Sequence, residues 1–191
     1  MRRRAALIAV AATALAVASP ARAYYTWFDF HRVTNTGSTL TMNWEPTPGH
    51  FFSTSWRAGS GVSTDACWIS HGWLPSGHYD LWGQYDHYDG SAVKGRVFRI
   101  QDKQCWNGTW RTQLLVHSEE TADNTQYCPT SGDDPFCWEG DSDYYSNGCI
   151  KLAHAQPYPS DIALVHDGWH QKSADYRHGA FTITDWLYVH D

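Results

Sequence analysis

Five cysteines lie downstream of what reads as an export signal, and this narrows the folds open to the chain more than any other feature. An oxidising compartment pairs cysteines, so four of them are expected in two bridges and one as a free thiol. Cys128 and Cys137 flank a short stretch of Pro, Gly, Ser and Asp with little apolar material of its own. A bridge there would close a small loop and stabilise it by about 2–3 kcal/mol. Cys67 and Cys105 would then pair, tying the segment before Leu74-Pro75-Ser76-Gly77 to the loop after Ile100. Other connectivities stay open on the sequence alone. The expected free thiol is Cys149, which follows the turn-prone Ser146-Asn147-Gly148 and precedes the apolar Ile150-Lys151-Leu152. Such a run presents a reactive side chain at the end of a tight turn.

Residues 1–23 have the three parts of a secretory signal peptide. Arg2, Arg3 and Arg4 are the basic start, Ala5 to Val17 is apolar, and Ala21-Arg22-Ala23 is a cleavage site. The apolar stretch falls short of the ~20 residues a membrane span needs. No Cys follows the cleavage site to carry a lipid. The remainder, 24–191, is expected to be a single monomeric domain, secreted or extracytoplasmic (cell wall or periplasm), with no stable membrane insertion. Four of the 14 basic residues leave with the leader and none of the 20 acidic ones. The resulting acidic domain argues against nucleic acid as a partner.

Eleven Trp, eleven Tyr and fifteen Gly lean the composition towards β structure. Thr39–Trp44 alternates with period two, as does Phe181–Val189 in part, and Val97–Ile100 and Gln113–Val116 are short apolar segments. Turn residues separate them. Ser160–Val165 reads as a short helix capped by Ser160 or equally as a strand. The fold expected is mostly β, with one or two short helices. The tryptophans, among them Trp68, Trp73, Trp82, Trp106 and Trp110, are expected mostly in core and inter-sheet packing, with a sugar-stacking face as the functional alternative.

A cysteine nucleophile needs a base and a pair of donors for the oxyanion. His117 ends the segment Gln113-Leu114-Leu115-Val116-His117, where a strand would mount its imidazole rigidly. A neighbouring His lowers a thiol pKa from ~8.5 into the physiological range or below. Gly148 permits close backbone approach, so amides near Gly148 and Cys149 can face a carbonyl oxygen.

His117-Ser118 followed by Ser146-Asn147-Gly148-Cys149-Ile150-Lys151-Leu152 resembles the signature of the L,D-transpeptidases, the YkuD-like family. Leu74-Pro75-Ser76-Gly77-His78-Tyr79 looks like that family's strand-opening motif, and the likeness spans roughly residues 36–190. It implies an L,D-transpeptidase-like β-sandwich or barrel acting on peptidoglycan stem peptides without a cofactor. Cys149 would attack the carbonyl of the third stem residue and His117 would carry the proton. The Ser118 carbonyl would orient His117, and amides around Gly148 and Cys149 would hold the oxyanion. Tyr145, Ser146, Asn147 and Lys151 would bind substrate. Resolution by an amine gives transpeptidation, and by water carboxypeptidation.

Three departures stand out. Asn147 occupies a position where many members carry His. Lys151 replaces the commoner Arg and loses its bidentate fork. The His-to-Cys spacing is also long, by about the segment holding Cys128 and Cys137, which reads as an insertion lying over the site as a lid. Glu139, Asp141 and Asp143 form an acidic patch for a substrate ammonium or a plain solvated loop, and Tyr144 and Tyr145 read as cleft walls. His166 and His170 invite a metal reading on a shared helix face. Gly168 between them argues against a helix and no third ligand is evident, so structural or surface histidines are expected and no metal ligand is assigned, while a His-lined site with His71, His78, His87 and His178 stays open. The competing function is a non-enzymatic, Trp-rich secreted domain that binds cell-wall carbohydrate, with Cys149 structural. A papain-like or NlpC-like peptidase ranks low, because those families place Cys before His.

Overall fold

The computed structural model describes residues 25–128, 136–154, 159–172 and 185–191. The leader 1–23, the 129–135 portion of the expected lid, and Phe181–Thr184 of the last alternating segment lie outside the described residues. Among the described residues, ten strands occur in chain order: β1 (Tyr25–His31), β2 (Ser38–Thr47), β3 (His50–Ser60), β4 (Gly77–Asp89), β5 (Lys94–Ile100), β6 (Lys103–Gln104), β7 (Trp110–Arg111), β8 (Leu115–His117), β9 (Ile150–Leu152) and β10 (Trp186–His190). A single-turn 3-10 helix (Asp141–Tyr144) precedes β9, and helix α1 (Asp161–Lys172) follows it. The fold is therefore mostly β, as the composition implies.

Eight strands close a barrel in the order β1-β10-β4-β5-β8-β9-β3-β2, and β6 pairs with β7 outside it. Closure removes the open edges that would otherwise template aggregation. The period-two pattern decides which side chains turn inward. Phe28 and Phe30 of β1 and Leu40 and Met42 of β2 are buried between more exposed neighbours, while on β5 Val97 is buried along with Phe98 and Ile100.

The segment beginning at Ser160 is a helix rather than a strand. The Ser160 hydroxyl accepts from the Ala163 amide at 3.3 Å, as an N-cap does. The helix runs unbroken through Gly168, against the sequence reading. A Cβ at Gly168 would come within 2.9 Å of Met42 Cε, so the missing side chain lets α1 close on β2. Ile162, Val165 and Trp169 enter the core, where Trp169 stacks on Phe28 at 4.5 Å and meets Phe98 edge-on at 5.5 Å. The helix packs against β2 and β5, which stand on opposite sides of the barrel order, so it crosses from one wall to the other.

The tryptophans correct the expectation of burial. Trp106 is 91% exposed, Trp68, Trp82 and Trp110 are also exposed, and Trp73 is half-buried. The cysteines come together at disulfide distance in the expected pairs, Cys67 with Cys105 (Cα–Cα 5.6 Å) and Cys128 with Cys137 (4.9 Å), and Cys149 is free. Among the described residues, no helix is long and apolar enough to cross a membrane.

Candidate active site

Strands β8 and β9 run parallel, with Val116 opposite Ile150 and His117 opposite Lys151. Val116, Ile150 and Leu152 point into the core. Alternation therefore puts Leu115, His117 and Lys151 on the other face, with Cys149 one step before β9 on that same face. Cys149 and His117 are thus diagonal neighbours on adjacent strands, although 31 residues of chain lie between them.

Both line a cavity of about 220 Å³ with Glu119, Tyr145, Ser146, Asn147 and Lys151. A second cavity, of about 390 Å³, is bounded by Tyr88, Arg99, Gln113 and Leu114 and shares Ala92, Val93, Asn147 and Cys149 with the first. Cys149 therefore sits where two cavities meet.

The imidazole has a fixed direction. His117 Nδ1 lies 2.8 Å from the Ser118 carbonyl. Nδ1–H donates to that oxygen, so Nε2 carries the lone pair. Burial, with the Lys151 charge beside it, lowers the His117 pKa to about 4. The thiol moves the opposite way. Burial pushes the Cys149 pKa up, against a hydrogen bond at Leu115 and the charges of Arg111 and Lys151. The expected depressed thiol is therefore corrected. Burial disfavours the charged form of each group, so the two shifts favour an uncharged thiol beside an uncharged imidazole.

The loop before Cys149 is held from several sides. Ser146 Oγ donates to the Cys149 carbonyl at 2.7 Å and accepts from the amides of Gly148 (3.1 Å) and Gly61 (2.9 Å). This hydroxyl shapes the loop and is not left for substrate. The Gly148 amide is likewise engaged, which moves oxyanion donation away from it. Gly148 has φ +112°, and a Cβ there would lie 1.8 Å from Arg111 Nη2.

That contact identifies the main residue missed by sequence reasoning. Arg111 is buried, and its guanidinium donates to the carbonyls of Ala66, Trp73 (3.3 Å), Gly72 (2.9 Å) and Asn147 (3.2 Å). It joins the 61–73 loop to the cysteine loop. Nothing local marks it, since all its partners are backbone oxygens distant in sequence. Gln113, whose carbonyl faces Cys149 Sγ at 3.8 Å, has φ +57°. Such strain in a non-glycine residue is characteristic of functional sites.

Of the expected substrate contacts, Tyr145 and Asn147 line the cavities, Asn147 with its carbonyl tied to Arg111. Lys151 is buried and ion-paired with Glu119. Burial raises the Glu119 pKa to about 7 despite the hydrogen bond from Lys151. Next to it, Glu120 is buried between Arg96 (2.9 Å) and His154 (3.0 Å). The polar run after His117 is therefore interior. The acidic patch is structural: Asp143 accepts from the amides of Glu139 and Gly140 (2.7 Å), and Asp141 pairs with Arg57 at 2.8 Å. Tyr144 is buried beneath Arg57 rather than walling the cleft.

No protein-family model, curated protein or solved structure matches the chain.

Proposed function

We propose that the protein is a secreted cysteine acyltransferase acting on peptidoglycan stem peptides through a thioester at Cys149. The observation that carries this reading is a free cysteine and a carbonyl-oriented histidine on one face of adjacent strands, where two cavities meet. The identity of the stem peptide comes from the sequence resemblance.

With both partners neutral at rest, deprotonation accompanies attack. His117 Nε2 takes the thiol proton as Cys149 Sγ bonds to the substrate carbonyl carbon. The amide of Cys149 and neighbouring donors stabilise the oxyanion. Collapse breaks the C–N bond, and His117 returns its proton to the departing amine. An acceptor amine or water, deprotonated by His117, then attacks the thioester, and the proton passes back to the sulfur. Two cavities meeting at the sulfur suit a donor on one side and an acceptor on the other.

The test is incubation with a stem tetrapeptide and mass spectrometry of protein and products. An acyl adduct on Cys149, absent in Cys149→Ala, is the expected result. Absence of both adduct and turnover with any stem peptide sinks the proposal. The exposed Trp68, Trp82, Trp106 and Trp110 favour a second reading, in which the domain binds cell-wall carbohydrate without catalysis. Cosedimentation with isolated walls that persists in Cys149→Ala, with no adduct, would favour it.

A further inference from the structure

A second cluster of reactive side chains lies where α1 meets β4, and it shares no residue with the cysteine site. His166 and His170 stand one helical turn apart and face Asp86 of β4. His166 Nδ1 is 3.1 Å from Asp86 Oδ1, and His170 Nε2 is 3.3 Å from the same oxygen. One ligand atom from each of the three lies within 4.8 Å of the others.

The third ligand is delivered by an irregularity. Tyr85 pairs with Val97 but Tyr88 pairs with Gly95, so β4 carries one residue more than β5 between those points. The extra residue makes a bulge at Asp86 and His87, and bulges re-aim side chains. Sequence periodicity carries no trace of it.

The contacts of His166 aim one ring nitrogen at the cluster. Its Nδ1 is turned to Asp86 and to the Gln84 amide nitrogen, 3.2 Å away. Its Nε2 is buried and has no hydrogen-bond partner among the described residues. Arg96, the cation acting on His166, is already paired with Glu120 at 2.9 Å.

We infer that Asp86, His166 and His170 bind a divalent transition-metal ion of the zinc class. A tetrahedral centre with arms of about 2.0–2.1 Å sets its ligand atoms about 3.3–3.4 Å apart. The separations of 3.1 and 3.3 Å match that geometry. Two imidazoles and a carboxylate suit zinc and cobalt(II), not the all-oxygen sites of calcium or magnesium. Asp86 is half exposed, so the fourth position opens towards solvent. The ion would clamp α1 to the β4 bulge.

The experiment uses the mature protein carrying Cys149→Ser, so that the reactive thiol cannot contribute. Cobalt(II) chloride is titrated into chelator-treated protein, followed by visible absorption and then by zinc competition. The expected result is one equivalent bound with the intense spectrum of four-coordinate cobalt. Asp86→Asn and His170→Gln alter partly exposed groups, and each should weaken binding at least ~10-fold. Zinc should raise the melting temperature of the parent but not of these variants. No stoichiometric binding, or equal affinity in parent and both variants, overturns the inference.

Discussion

Gly148 concentrates two separate demands on one residue. Its φ of +112° is unfavourable for any side chain, and its hydrogen side faces a guanidinium that a Cβ would overlap. Gly108, at φ +86° with nothing within 4 Å of a built Cβ, carries only the first demand. Gly108→Ala should therefore lose about 1 kcal/mol of stability, with acylation intact. Gly148→Ala should lose about 1–3 kcal/mol from backbone strain alone. It should also displace Arg111 and slow acyl-adduct formation by ~100-fold, since a misplacement of about 1 Å at a reacting group has that effect. Thermal melts and single-turnover mass spectrometry of the two variants separate these contributions. Equal behaviour would show that the Arg111 contact is irrelevant to the cysteine loop.

At the scale of elements, the site depends on a loop that contributes no catalytic group. The 61–73 loop holds Cys67, and through Ala66, Gly72 and Trp73 it gives Arg111 three of its four carbonyls. The Cys67–Cys105 pair spans 38 residues and the Cys128–Cys137 pair 9. Chain entropy then predicts that replacing the first pair by Ser destabilises by about 4 kcal/mol and the second by about 2.5 kcal/mol. Only the first replacement should also slow acylation, because only it frees the support of Arg111. Urea melts and adduct rates of the two double variants check this, and an equal rate loss in both would refute it. Elements whose signal is local were legible in advance. Thr39–Trp44 alternates because one face meets a core, Val97–Ile100 is a short apolar run, and both lie in strands. The Ser118 carbonyl was expected to orient His117 only from the family resemblance, and it lies 2.8 Å from Nδ1. Arg111, Asp86 and the interior position of Glu119 were not, because their partners come from loops, a bulge and an adjacent strand that only the closed barrel brings together. Gly168 misled because the low helix propensity of Gly was outweighed by a contact with Met42 available only in the folded chain.

The whole molecule buries several groups whose proton affinities change on folding, and together they set its response to pH. His117 and His166 are held neutral down to about pH 4, while in the unfolded chain they titrate near 6.5. Between those values the unfolded state binds more protons, so stability rises with pH through that window and is lost as pH falls. Each histidine contributes on the order of 1.4 kcal/mol per pH unit across it. Glu120 adds to the trend. Burial opposes its charge, but hydrogen bonds from His154 and Arg96 outweigh that and hold its pKa below the ordinary value. The stability it gives is likewise lost on acidification. Glu119 works the other way. Its pKa of about 7 lets the folded state keep a proton that the unfolded chain has released above about 4.5, so its contribution weakens as pH rises from there to 7. Two histidines and Glu120 outweigh Glu119, so the melting temperature should fall steadily from pH 6.5 to pH 4 in chelator-containing buffer. His166→Gln should flatten that slope by about one proton's worth while leaving the His117 contribution in place. Chemical denaturation at closely spaced pH values measures the slope directly. A flat profile, or stability that increases towards pH 4, would mean that Glu119 dominates and that the two imidazoles are not kept neutral by the fold.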